Sequence, residues 1–244
     1  MNGGSASGKK SALPPQPERD AGAKAVRAWD ASTIIIWRKQ GRRIEVLMGE
    51  RHRAHKFLPH RYVFPGGRVD PSDGRVRAGS EMEPAVAAQL SRTSRNGRAR
   101  SIAIAAIRET FEETGLIIGA NDPLPHRPPP QGWATFFGQG YAPALDRLDY
   151  IARAITPVFR PMRFDARFFM VEAGEVVGDL QGSGELENLD WIPIKDTRDF
   201  ELALVTRNVL SYAESLILEP PRQSASRKIP YFKHFRGGHQ KILQ

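Results

Sequence analysis

The stretch AAIRETFEETGL, residues 105–116, decides how this chain reads. On an α-helix each residue advances about 100°, so with Glu109 at zero, Glu113 falls near about 40° and Glu112 near about −60°. Three carboxylates therefore share one face, while Ile104, Ile107 and Phe111 are left to face protein. Like charges one turn apart repel by a few tenths of a kcal/mol. A hard divalent cation relieves that repulsion, because Mg²⁺ takes oxygen ligands and shares them with substrate phosphates. Arg108, on the flank of the same face, is placed to orient one carboxylate through a bidentate pair. The competing reading of any acidic cluster is a solvated helix face.

Working outward, the apolar spacing predicts a helix over Ser101–Thr114 that stops at Gly115. Upstream, Tyr62–Phe64 reads as a short strand broken by Pro65-Gly66-Gly67. Before it, the β-branched run Ala31–Trp37 and the segment Arg43–Gly49 read as a hairpin turned at Gln40-Gly41. Residues 68–100 are a polar excursion with a short helix at Pro84–Leu90. Residues 121–132 contain five prolines and read as a loop. Ala154–Ile155, Arg167–Glu172 and Leu189–Ile194 are strand candidates, and Thr197–Leu218 is a long amphipathic helix capped by Asp196 or Thr197. Strands and helices without regular alternation predict an α+β fold, an α/β/α sandwich on a mixed β-sheet. The expected organisation is a flexible leader over 1–29, a domain over 30–219 with an insertion at 68–100, and a basic tail over 220–244.

Composition narrows the function classes. The 244 residues suit one domain with extensions. No apolar run approaches the roughly 18 residues a membrane span needs, so no membrane partner is expected. The chain has no cysteine, which excludes disulfides and thiolate chemistry and fits a cytoplasmic protein. The net charge of +9 suits an anionic partner, with a solvated basic surface as the plain alternative.

Arg108-Glu109-x-x-Glu112-Glu113-x-Gly115 resembles the core of the Nudix box, G-x5-E-x7-R-E-U-x-E-E-x-G-U, where U is bulky and apolar. Five fixed residues at average frequencies would meet by accident in a chain this long about once in several thousand. Phe64-Pro65-Gly66-Gly67 at a strand end is a second element of the resemblance. The resemblance implies a mixed sheet between helices and hydrolysis of a diphosphate with Mg²⁺ or Mn²⁺ as cofactor. It makes Glu112 and Glu113 metal ligands and Glu109 a ligand or the water-activating base. Gly67 would offer its carbonyl to the metal. Two departures stand out. Gly67 and Arg108 lie 41 positions apart rather than 14, and the glutamate expected eight positions before the arginine falls on Arg100. That acid is then lost or supplied from elsewhere, with Glu81 and Glu83 as candidates. Position 110 carries Thr where a bulkier residue is usual.

An insertion inside the box resembles the peroxisomal coenzyme A diphosphatase branch and its bacterial relatives. Thr156-Pro157 and the segment Pro161–Phe169 are similar to that branch too. A motif associated with coenzyme A hydrolysis, L-L-T-x-R-S-x-x-V-R-x-x-x-G-x-x-x-F-P-G-G, lays over residues 47–67. Leu47, Arg51 and Phe64-Pro65-Gly66-Gly67 fall in register, Lys56 replaces Arg, and His52, His55 and His60 replace Ser, Val and Gly. The resemblance implies a small-molecule nucleoside diphosphate substrate, coenzyme A or acyl-coenzyme A first. ADP-sugars, dinucleoside polyphosphates and oxidised nucleotides are the alternatives. Arg51, Lys56, Arg163 and Arg167 are candidate phosphate contacts, and Phe168, with Phe164 and Phe169, lines a pocket or fills core. Glu185 is the candidate general base, with Glu187 as competitor. The three histidines, loosely spaced, read as surface residues rather than a metal site. Nucleic acid is disfavoured as a partner, because a binding-only relative would have shed the box carboxylates. A homodimer is left open.

Overall fold

The computed structural model describes residues 26–244 except 55–56, 96, 123–127, 223 and 236–237. The strands are β1 Trp29–Gln40, β2 Arg43–Arg51, β3 Tyr62–Val63, β4 Gly66–Arg68, β5 Gly119–Asn121, β6 Tyr141–Pro143, β7 Asp149–Ile155, β8 Phe164–Glu172, β9 Leu186–Pro193, β10 Pro230–Phe235 and β11 Gly238–Leu243. The helices are α1 Pro84–Thr93, α2 Arg98–Thr114, α3 Ala134–Phe137 and α4 Leu204–Leu218.

The main sheet runs β11-β10-β7-β8-β1-β2-β3, with β4 also on β1 and β9 on β2. It is mixed: β1 is parallel to β8 and β10 is parallel to β7, while the remaining pairs are antiparallel. Alternation along a strand sends successive side chains to opposite faces. Ile34 and Ile36 of β1 join Phe169 and Val171 of β8 under α2. Ile35, Met48, Phe168 and Met170 pack on the other face with Val209, Leu210 and Ala213 of α4. Two apolar layers on opposite sides of one sheet make the α+β sandwich that the pattern predicts.

Helix α2 ends as its sequence requires. Gly115 takes φ 74°, left-handed backbone that glycine adopts without strain, and its N–H donates to Phe111 O at 2.8 Å. Helix α4 starts at Leu204, later than the sequence pattern suggests, because Ile194–Asp199 first makes a 3-10 turn. The segment expected to be a basic tail is instead sheet. Tyr231 and Phe232 of β10 pair with Arg153 and Ala154 of β7, and β11 closes a hairpin on β10. Its physical reason is the half-apolar segment that runs from Ile229 into β10, where Ile229 and Phe232 are buried. Of the expected leader, residues 1–25 lie outside the described residues, and Trp29 already belongs to β1.

Candidate active site

Glu109 and Glu113 project from the last turns of α2 toward Gly66-Gly67 on β4. Glu113 is buried, and its Oε2 accepts the Gly66 N–H at 2.8 Å. The Glu109 carboxylate packs so closely on Gly67 that a Cβ there would collide with it. A Cβ on Gly66 would strike Ser32 and Thr33, and its φ of 153° suits only glycine. The Pro-Gly-Gly break thus exists to let a helix carboxylate pair reach past a strand.

Electrostatics set these acids apart. Burial pushes Glu109 up to about 7, against the pull of Arg108. Burial pushes Glu113 up to about 8, against the Gly66 N–H and Arg51. Glu112 is half exposed, and burial raises it as well. Arg108 binds across the cluster. Its Nη1 lies 2.8 Å from Glu109 Oε1 and 2.9 Å from Glu112 Oε2. Its Nε donates to Asp73 Oδ1 at 2.9 Å and its Nη2 to Arg68 O at 2.9 Å. Burial works against its charge, but Asp73, Glu109 and Glu112 outweigh that and keep it protonated.

Asp73 is the residue that sequence reasoning missed. It is fully buried, accepts from Arg108, from Trp133 Nε1 at 3.2 Å and from its own turn through Asp70 N at 2.8 Å. It stands six positions after Gly67, where the box has its first glutamate. The excess chain therefore lies after this acid, between it and Arg108. Counting forward from Gly67, rather than back from Arg108, would have found it. Glu81 does not fill the position: it pairs with Arg100 at 2.9 Å on the surface. Glu83 stands exposed just before α1.

Glu109, Glu113 and Glu185 line one cleft of about 1030 Å³, with Arg51, Arg61 and Arg68 beside them. Its apolar wall includes Phe57, Met162, Phe164, Phe168 and Phe232. Glu112 is not among the lining residues. Glu185 rather than Glu187 faces the cleft, since Glu187 sits 3.6 Å from His52 on the outer edge.

Two of the expected phosphate contacts are structural instead. Arg167 is buried, and donates to Asp30 at 3.0 Å, to Asp165 O at 2.6 Å and to Thr93 O at 2.7 Å. Arg163 is also buried and spends its donors on Thr156 O and Val26 O. On β8, alternation sends Arg167 and Phe169 to the α2 face and Phe168 to the cleft face, which no composition rule predicts. Phe169 is accordingly core beneath α2. Arg51 does reach the site, with Nη2 3.4 Å from Gly66 O. Lys56 and His55 lie outside the described residues. His60 approaches Glu50 at 3.7 Å. Among the described residues no three acidic or histidine side chains stand assembled as a ready metal cluster.

No protein-family model matches the chain. A Caenorhabditis elegans protein, provisionally named nudix hydrolase 7, is 26% identical over 220 residues, 82% of this chain. The chain spans 60% of that relative's length. The crystal structure of a Nudix hydrolase from Alicyclobacillus acidocaldarius superposes with TM-score 0.61 and 27% identity, over 80% of this chain and 97% of that one. The chain is thus similar in sequence and in fold to Nudix hydrolases. In that similarity α2 stands where those proteins carry the Nudix helix, and the residues that resemble the box are Gly67, Asp73, Arg108, Glu109, Glu112, Glu113 and Gly115.

Proposed function

We propose that this Nudix protein is a pyrophosphohydrolase that cleaves the P–O–P linkage of a nucleoside diphosphate derivative, coenzyme A or an acyl-coenzyme A first. The observation that carries it is the convergence of Glu109 and Glu113 on Gly66-Gly67, with Glu185 lining the same long, partly apolar cleft. ADP-sugars and dinucleoside polyphosphates remain the second reading, because the coenzyme A motif over residues 47–67 is only partly matched.

The donor set fits a hard divalent cation, Mg²⁺ or Mn²⁺. Every candidate donor is an oxygen, and burial raises all three glutamates against the pull of the neighbouring arginines. Glu109, Glu112, Glu113 and the Gly67 carbonyl would hold it, with Glu109 and Glu112 exchanging Arg108 for the ion. When bound, such an ion neutralises the diphosphate and stabilises the leaving phosphate. Arg108, anchored by Asp73, keeps the carboxylates on one side of the helix. Arg51 and Arg61 meet the phosphate charge. Glu185, on the loop whose Ser183 N–H donates to Glu113 O, orients the attacking water and takes its proton.

A hydrolysis screen with Mg²⁺ or Mn²⁺ over coenzyme A, acyl-coenzyme A, ADP-ribose and dinucleoside polyphosphates tests this. Release of 3′,5′-ADP and 4′-phosphopantetheine supports the first reading. AMP with a sugar phosphate supports the second, and no turnover of any member rejects both.

A further inference from the structure

The β10–β11 hairpin, which reads from sequence as a tail, walls the cleft. Phe232, Lys233 and His234 from β10 and His239 from β11 all line it. His234 and His239 are direct cross-strand partners, with ring centroids 5.4 Å apart. His234 also meets the Phe159 ring at 5.1 Å, and Arg160, itself a lining residue, lies over that ring at 5.3 Å. Two imidazoles and an arginine thus gather around one wall, whereas the acidic lining residues are Glu109, Glu113 and Glu185 at the other end.

The sheet register gives the distance between the two ends. Arg68 pairs with Ala31, Ala31 with Ala166, Ala166 with Ala154 and Ala154 with Phe232, and all five line the cleft. The three alanines leave a shallow trough between the large residues at its ends. Four strand spacings put the hairpin about 19 Å along the sheet from the Gly67–Arg68 end. A phosphate on the nucleoside itself sits only one sugar from the scissile diphosphate and does not reach that far. An anion at the hairpin must end an extended arm.

Resting on the reading that the glutamate end holds the diphosphate, we infer that the C-terminal hairpin recognises a carboxylate at the far end of the substrate's extended arm. His234 and His239 donate ring N–H groups to that carboxylate, and Arg160 supplies a favourable field. Neutral arms of the same length gain nothing there.

Succinyl-coenzyme A and butyryl-coenzyme A are the probes, since they differ by a terminal carboxylate in place of a methyl. The intact protein is expected to favour succinyl-coenzyme A by about tenfold in kcat/KM, the worth of charge-assisted hydrogen bonds. In a His234→Ala/His239→Ala double variant that ratio falls to about twofold or less. The single His239→Gln variant, at an exposed position, reports the same direction should the double variant fold poorly. Calorimetric binding of both probes to Glu113→Gln measures the preference without turnover. Equal handling by the intact protein, a preference that survives the histidine changes, or no binding of either probe overturns the inference. Turnover without preference removes the hairpin's role and leaves the hydrolase. Preferential binding without any turnover by the intact protein removes the hydrolase and leaves the hairpin.

Discussion

Two arginine–carboxylate clusters lie against the same sheet, and their balance differs. Around Arg167 every carboxylate is matched: Asp30 and Asp165 meet three cations, Arg167, Arg153 and Arg98, with Arg153 at 2.7 Å from Asp165. Nothing there opens on the cleft. Around Arg108 acids outnumber the cation: Asp73, Glu109 and Glu112 share it, while Glu113 leans on a backbone N–H. Burial lifts the carboxyls that remain under-compensated. A satisfied cluster holds strands together, and an unsatisfied one is ready for charge brought in from outside.

The sharpest way to break this contrast is Glu113→Gln, which keeps the shape and removes the charge. Diphosphate hydrolysis should fall by on the order of 10³-fold, as for loss of a group acting on developing charge, with the folded protein retained. Steady-state assay beside circular dichroism reads both. Next comes Arg167→Ala, which removes a buried guanidinium with its bonds to Asp30, Asp165 and Thr93 and should cost about 3 kcal/mol. For a chain of this size that lowers Tm by roughly 6–12 °C, while kcat of the folded fraction holds. A large loss of kcat without loss of Tm would place Arg167 in the site after all. Gly67→Ala follows. Its methyl collides with Glu109, and activity should drop about 10- to 100-fold, as for displaced supporting groups. The smallest effect belongs to Glu81→Gln, expected to change stability by less than about 0.5 kcal/mol and to leave turnover intact. Asp73→Asn, by contrast, should lower activity about 10- to 100-fold. If Glu81→Gln proved the more damaging of the two, the position of the box acid would need revision.

The helix over Ser101–Thr114, its stop at Gly115 and the break after Phe64 are local features, and they stand where the sequence pattern puts them. Three further points needed the folded chain. The first acid of the box is hidden by the residues between Asp73 and Arg108, because only the packing of the 3-10 turn on α2 brings those two side chains within 3.1 Å. Arg163 and Arg167 sit in a basic, aromatic stretch that suits phosphate equally well on composition, yet each spends a donor on a partner 137 positions away in sequence. The hairpin at the C-terminus is basic enough to read as a tail, and only its parallel pairing with β7 makes it a wall.

Read alone, the sequence determined the helical face of acids, the glycine pair and the layered fold. Each follows from a backbone period or a steric limit that acts within a few residues. Tertiary structure decided which charges are spent on one another and which face the cleft. That choice depends on burial and on partners distant in the chain, and neither exists until the sheet has closed over its two cores.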